Sequence, residues 1–343
     1  ALGLATALAA NLAVAHPYAT TLTNNAGTVS FRLNEAADTV EILWNNGASK
    51  TNLGSLSKGL TITNVGATSP FEVKVTKAGT GTPTRISDDA NVFNQFEYPR
   101  GVFVNRRPAS PYFGRIYVAN GRTSSTATGR TTGDGIYILN SDHTDALGQG
   151  NAALAGGLDF TTGGTSSPWH LTVGEDDDNL YICDWSDATG NLYRTDPSVS
   201  AASGQLVFPK CVGTAAVPLN PADNHGSVHG AAVSGSLAAG NLTVWQVDED
   251  MDAAPSAGVN SMWRYDIGSG PLPYATQPVW VADSPAMPVA NNADMARATN
   301  GYLYQLHYRS DGNENCLQVV DPSGTVLWKS RDASVDPTNG WPH

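Results

Sequence analysis

The sequence has few charged residues. Asp, Glu, Lys and Arg make up 15% of the 343 residues, against about 25% in an average soluble domain. Hydrophobic residues make up 41% of the sequence, which is enough to build a core. The sequence also contains 35 glycines. Low charge together with many Gly, Thr, Ser and Asn residues is typical of an exported all-β protein.

Basic residues are scarce, with 19 Lys and Arg against 31 Asp and Glu and a net charge of −12. A nucleic-acid-binding surface needs a basic patch, and the sequence offers only Arg106-Arg107 and scattered arginines. No apolar run reaches the roughly 18 residues that a membrane span needs. We therefore expect no nucleic-acid partner and no membrane insertion, whereas an acidic surface favours cations such as calcium.

Cysteine is also rare. Cys183, Cys211 and Cys316 show no C-x-x-C spacing, which excludes zinc ribbons and thioredoxin-type redox motifs. Cys183 and Cys211 could form a disulfide bond that leaves Cys316 unpaired. Alternatively, all three are small buried side chains.

The first 15 residues are small and apolar and end in Ala13-Val14-Ala15. This pattern precedes the cleavage site of secretory signal peptides. We interpret residues 1–15 as the remnant of a signal peptide whose first residues are missing; a short core helix is the alternative. The signal-peptide interpretation predicts a protein that is secreted or displayed at the cell surface.

Residues 16–80 alternate between apolar and polar side chains, which predicts short strands. The clearest segments are Thr28–Leu33, Val40–Trp44, Leu60–Ile62 and Phe71–Val75. The stretch resembles the immunoglobulin-like module of flagellar hook-cap proteins and of many secreted bacterial proteins. The resemblance implies an Ig-like β-sandwich that acts as a spacer or assembly element, and residues 81–97 are expected to form a linker.

From residue 98 onwards, a unit of four short apolar strands repeats. Such a repeat predicts the blades of a β-propeller. The units cover about 98–163, 164–213, 224–284 and 291–331, and residues 340–343 look like the start of a fifth. The expected fold is thus all-β, an Ig-like sandwich followed by an incomplete β-propeller with four recognisable blades of four strands. A stack of β-sandwich modules is the competing interpretation.

Two segments of the repeat, Ile116–Asn120 and the run from Asn179 to Asp184, resemble the blade motif of NHL and gluconolactonase-like propellers. The resemblance implies a propeller of the six-bladed type. Because propellers have many functions, it does not imply one activity. Some lyases of this type use histidines near the central channel.

The candidate site residues lie at the predicted mouth of the central channel, where first strands begin and second strands end. Aligning the units places Arg100, His170 and His229 at the first position, with Asp294 or Arg297 nearest to it in the fourth unit. The candidates at the second position are Asn120, Asp184, Asp248 and His307. Trp185 is the candidate for ligand stacking, whereas the other tryptophans, Trp169 among them, are expected to pack within blades.

Two sets of these residues could hold a divalent metal ion. Imidazole and carboxylate groups suit zinc, so His170, His229 and Asp184 could bind a metal or act as catalytic groups. Asp248, Asp250 and Asp252 have the alternation of calcium loops, although the Gly and distal Glu of an EF-hand are absent. Alternatively, these polar side chains only satisfy exposed strand ends.

The sequence thus predicts a secreted or cell-surface binding or assembly protein, rather than an enzyme, whose ligand or protein partner is unknown. The mouth and the long loops 121–134 and 250–260 are the expected contact surface. One alternative is a metal-dependent lyase or hydrolase that uses His170, His229 and Asp184. Another is a structural subunit of an extracellular assembly that pairs through an exposed blade edge.

Overall fold

The computed structural model describes most of the chain in segments. These are residues 17–66, 70–79, 90–147, 153–154, 156–158, 160, 167–185, 191–208, 228–252, 260–276, 279–282, 291–308 and 316–330. The predicted signal-peptide remnant and the predicted start of a fifth unit lie outside them. The chain divides into two compact units, residues 1–94 with 139–145, and residues 95–138 with 146–343. The described part is all-β apart from a short 3-10 turn at Val92–Asn94, and it contains no helix that could cross a membrane.

Unit 1 consists of two three-stranded antiparallel sheets. Its strands are β1 (Ala19–Asn25), β2 (Thr28–Leu33), β3 (Ala37–Trp44), β4 (Ser49–Leu56), β5 (Gly59–Asn64) and β6 (Phe71–Thr76). The sheet orders are β1-β2-β5 and β4-β3-β6. The central strands carry the core, with Phe31 and Leu33 of β2 packed together with Val40 and Ile42 of β3. The alternating pattern therefore buries one face of each sheet against the other, as the sequence predicts.

Unit 2 begins with two antiparallel sheets that we call blades one and two. Blade one contains β7 (Pro99–Val104), β8 (Ile116–Asn120) and β11 (Gly135–Leu139), and a hairpin of β9 (Ser124–Ser125) and β10 (Thr131–Thr132) lies within its long loop. Blade two contains β12 (His170–Val173), β13 (Leu180–Cys183), β14 (Leu192–Thr195) and β15 (Gln205–Leu206) in that order. Blade one differs from the predicted unit of four strands: within the described residues its sheet has three strands, and Ile136 forms only an isolated bridge with Leu154.

Blades three and four are complete four-stranded meanders. Blade three contains β16 (Val228–Ser234), β17 (Leu242–Asp252), β18 (Asn260–Gly268) and β19 (Trp280–Ala282). Blade four contains β20 (Asn291–Arg297), β21 (Leu303–Tyr308), β22 (Cys316–Val320) and β23 (Val326–Lys329). The first strands β7, β12, β16 and β20 are neighbours in this order, which is the arrangement of β-propeller blades around an axis.

Three hydrophobic cores hold successive blades together. In β13, Leu180 and Ile182 pack against blade one, whereas Tyr181 and Cys183 pack against blade three. A third core joins blades three and four, with Trp245 on one side and Met295 on the other. The strands read as continuous apolar runs because both faces of each inner blade are buried.

Only one cysteine of the predicted disulfide bond belongs to the described residues. Cys183 is buried between blades two and three. Its candidate partner Cys211 lies outside the described residues, so the pairing stays a prediction.

Candidate functional site

Three first strands carry a β-bulge at the same place, their mouth end. The register with the second strand jumps between Pro99 and Gly101, between Val228 and Gly230, and between Asn292 and Asp294. The extra residues are Arg100, His229 and Ala293. In blade two, Trp169 occupies the same place, just before β12. The N–H of Trp169 donates to the carbonyl of Cys183 at 2.8 Å. Bulges bend a strand end and re-aim its side chain.

The bulges correct the predicted alignment of the mouth residues. Gly101, His170 and Gly230 are equivalent, because they pair with Ala119, Cys183 and Val247 of the second strands. The sequence alignment places Arg100 and His229 at the position of His170. In the structure they are instead equivalent to Trp169. A bulge inserts one residue without changing the apolar pattern, so the repeat alone cannot reveal it. The second-strand ends Asn120, Asp184, Asp248 and His307 do occupy equivalent positions.

Equivalent residues of three successive blades lie against one another. The guanidinium carbon of Arg100 lies 4.6 Å from the ring centroid of Trp169, a cation–π distance. The rings of Trp169 and His229 are 5.6 Å apart, and the ring of Trp185 lies 4.6 Å from Trp169 and 5.6 Å from His229. We call Arg100, Trp169, Trp185 and His229 the mouth ladder.

The mouth ladder is graded in exposure. Arg100 is exposed and both tryptophans are half-buried, whereas His229 retains 5% of its surface. Burial lowers the pKa of His229 to about 4, so its imidazole is neutral at physiological pH. The inner end of the ladder is therefore uncharged, and its outer end carries the positive charge of Arg100.

A second pair of polar side chains lies beside the ladder. His170 Nδ1 is 3.4 Å from the Asp294 carboxylate, although β16 separates their strands in the ring. Burial raises the pKa of Asp294, and the neighbouring His170 opposes that shift. His170 also lines an open pocket of about 70 Å³ bordered by the first strands.

Glycines let the first strands approach closely at this level. A Cβ on Gly230 would lie 2.8 Å from the backbone nitrogen of Met295 and 3.1 Å from Asp294 Cα. A Cβ on Gly101 would lie 3.0 Å from His170 Cα. The equivalent positions thus alternate between glycine and a polar residue, which leaves room for His170 and Asp294 to meet.

Asn120 and Asp184, both predicted to bind a ligand, are buried supports instead. Asn120 is 0% exposed; its amide donates to the carbonyls of Arg122 and Gly133, each at 2.9 Å, and accepts from the N–H of Tyr98 at 3.3 Å. Asp184 is also fully buried and accepts from Ser167 Oγ. Each holds the segment that leads into a first strand, so these residues position the mouth without lining it.

The other predicted ligands cannot be tested as a group. Asp248, Asp250 and Asp252 belong to β17 and not to a loop, and His307 belongs to β21; their side chains lie outside the described part of the structure. Among the described residues, no three His, Cys, Asp or Glu side chains are arranged to hold a metal ion. His170, His229 and Asp184 therefore form no such group by themselves, and the zinc and calcium predictions remain predictions.

Sequence reasoning missed three residues at the mouth. Trp169 was expected to pack within a blade, but it forms the centre of the ladder. Tyr98 and Arg122 were not singled out, yet the guanidinium carbon of Arg122 lies 3.2 Å from the ring centroid of Tyr98. The available signal was the proline at both blade entries, Pro99 after Tyr98 and Pro168 before Trp169.

The opposite rim of unit 2 is held by ion pairs. Asp178 accepts from Arg107 at 3.1 Å and from Asn105 at 2.9 Å, and Asp177 lies 3.6 Å from Arg194. This rim is therefore largely neutralised and differs from the mouth.

No protein-family model and no curated protein matches the sequence. Among solved structures, the chain is similar to a nidogen/laminin complex (11% identity, 90% of this chain and 91% of that chain covered, TM-score 0.42). It is also similar to a gluconolactonase from Xanthomonas campestris (13% identity, 91% and 83% covered, TM-score 0.38). A streptogramin B lyase is a third (14% identity, 93% and 84% covered, TM-score 0.30). We take no function from such distant similarities.

Proposed function

We propose that this chain is a secreted or cell-surface binding protein that captures its ligand at the mouth ladder. The observation that carries the proposal is the contact between Arg100, Trp169 and His229, one equivalent residue from each of three successive blades. In this proposal unit 1 is an immunoglobulin-like module that acts as a spacer. Neither export nor the module type is needed for binding at the mouth.

The ladder has the properties of a binding surface. Trp169 and Trp185 belong to none of the hydrophobic cores between the blades, and both are half-buried. Large aromatic side chains held rigidly at a partly exposed site are typical anchors for ligands. Bulges aim Arg100 and His229 at this one place, which supports a role beyond holding blades together.

A binding screen with two tryptophan variants tests the proposal. Neutral and acidic oligosaccharides and short peptides would be titrated against the protein and followed by tryptophan fluorescence and calorimetry. We expect Trp169→Ala and Trp185→Ala each to weaken binding at least about tenfold, since each removes an anchor. Trp328→Ala is the matched control, because Trp328 is 49% exposed on blade four and lies outside the ladder. A ligand that binds both ladder variants as well as the wild type contradicts the proposal.

A second candidate function is acid–base catalysis, which the pair of His170 and Asp294 favours. A carboxylate within 3.4 Å can orient an imidazole for proton transfer. No step through a metal is derived, because the described donors form no metal group. Reading the same screen for product formation tests this candidate, and turnover would have to be lost in His170→Gln.

A further inference from the structure

Two arginines rest on aromatic rings next to each other at the mouth. The guanidinium carbon of Arg122 lies 3.2 Å from the ring centroid of Tyr98, and that of Arg100 lies 6.0 Å from the same centroid and 4.6 Å from Trp169. The two positive charges therefore extend the mouth ladder on the side of blade one. A guanidinium group that lies over a ring can still donate hydrogen bonds from its N–H edges.

These two guanidinium groups differ from other arginines of the chain. In the part of the chain that the structure describes, neither donates a hydrogen bond or pairs with a carboxylate. By contrast, four arginines have a carboxylate oxygen within 3.6 Å: Arg32, Arg107, Arg194 and Arg264. In a chain with 31 acidic and 19 basic residues, two neighbouring arginines without a carboxylate are positioned for an anion from outside.

Hydrogen bonds hold the backbones of Tyr98 and Arg122 in place. The buried amide of Asn120 holds the carbonyl of Arg122 at 2.9 Å and the N–H of Tyr98 at 3.3 Å. The N–H of Gly121 also donates to the carbonyl of Tyr98 at 3.0 Å. The backbones that carry the ring and the cation are therefore ordered before a ligand arrives, which lowers the entropic cost of binding.

We propose that the ligand is a saccharide that carries carboxylates, a uronate oligomer, with its acid groups on Arg100 and Arg122. This inference rests on the proposed function. Guanidinium groups bind carboxylates through two parallel hydrogen bonds, and the faces of Trp169 and Trp185 suit the C–H face of a sugar ring. His170 and Asp294 supply polar atoms for hydroxyl groups. An acidic peptide is the alternative, but the faces of Trp169 and Trp185 favour a sugar ring.

The test compares oligogalacturonate with its fully methyl-esterified form, which has the same backbone without the charges. We expect the acid form to bind about tenfold or more tightly, the worth of a charge-assisted hydrogen bond, and its binding to weaken as salt is added. Arg122→Gln should cost about the same factor, and Arg122→Lys should restore part of it because it keeps only the charge. Arg106→Gln is the matched control, since Arg106 also lies over a ring, that of Phe103 at 5.5 Å, but on the opposite rim.

The outcomes separate this inference from the proposed function. Equal binding of acid and ester, lost in Trp169→Ala, would overturn the inference and leave the mouth as a binding site. Tighter binding of hexaglutamate than of the saccharide would overturn it in favour of an acidic peptide. No binding of either galacturonate form, with another screened ligand bound through Trp169, would also overturn it. If no screened ligand depends on the tryptophans, the proposed function falls with it.

Discussion

His229 combines two roles at the scale of a single residue. Its ring forms the buried inner end of the mouth ladder, 5.6 Å from both tryptophan rings. Burial is also what lowers its pKa to about 4, because a charged imidazole is poorly solvated there. We therefore expect the residue at the inner end of the mouth ladder to make unit 2 sensitive to acid.

We predict that His229→Phe removes a large part of the acid sensitivity of unit 2. Below its ordinary pKa of about 6.5, histidine takes up a proton in the unfolded chain but not in the fold, so stability is lost as the pH falls from about 6.5 to about 4. A shift of this size corresponds to about 3 kcal/mol. Phenylalanine keeps a ring in the stack and does not titrate.

Urea unfolding of both proteins at pH about 7 and about 4.5 measures this difference. Burial lowers the pKa of His143 in unit 1 as well. The variant is therefore compared with the wild type, because His143 contributes equally to the acid sensitivity of both proteins. Equal loss of stability in both proteins would show that His229 is accessible to protons in the fold.

At the scale of elements, close approach of the first strands shapes the mouth. Gly230 of β16 lies against the backbone of β20, and Gly101 of β7 lies against the backbone of β12. Neither position has a positive φ, so glycine is needed there for space and not for conformation. The absence of a side chain at these positions brings the strands together.

We therefore predict that Gly230→Ala destabilises unit 2 by about 1–3 kcal/mol, the range for overpacking. The added Cβ would meet the Met295 nitrogen at 2.8 Å, and a backbone atom cannot move aside alone. Gly133→Ala is the matched control, because its Cβ would have only Thr123 Oγ1 nearby, at 3.8 Å. The free energy of unfolding from urea titration checks both, and equal stability of the two variants would contradict the packing argument.

Strand signals in the sequence depend on burial. The strands with apolar alternation, such as β2 and β6, are predicted correctly, and so is the repeat of four blades. β1 and β4 are missed because their sequences, ATTLTNN and SKTNLGSL, are mostly polar; β6 is also an edge strand, but its apolar alternation identifies it. Apolar periodicity marks a strand only where a face is buried.

The sequence predicts that His170, His229 and Trp185 lie near one another where first strands begin and second strands end. In the structure Trp185 and His229 are in ring contact and His170 follows Trp169, whereas ligand binding there stays a prediction. The sequence cannot show the bulges, which shift Arg100 and His229 by one position, because a bulge changes no residue type. It also cannot distinguish a buried support such as Asn120 from a ligand-facing side chain, since both are polar residues at a strand end.

At the scale of the whole molecule, the two units are not consecutive in sequence. Residues 139–145, which follow β11, cluster with unit 1. Within unit 1, Ser141 Oγ lies 2.8 Å from Thr20 Oγ1, and the Asp142 carboxylate accepts from Arg32 at 2.6 Å. The sequence does not predict that residues 139–145 belong to unit 1, because their pattern is that of an ordinary turn after a strand.

We predict that the ion pair of Arg32 and Asp142 is a main support of unit 1. Asp142 retains 2% of its side-chain surface. Burial raises its pKa, but hydrogen bonds from Thr144 and Arg32 outweigh this effect and lower it below the ordinary value. Arg32→Gln leaves a buried carboxylate without its cation, which costs about 3 kcal/mol.

The matched control for Arg32→Gln is a variant that breaks an exposed ion pair of the same unit. Lys50→Gln removes the ion pair between Lys50, which is 62% exposed, and Glu41. This change should lower the free energy of unfolding by less than about 1 kcal/mol. Hydrogen exchange of the β2 and β3 amides in the full chain separates the two variants, because the larger loss of stability opens these central strands more often. Equal protection in both would mean that residues 139–145 contribute little to holding unit 1 together.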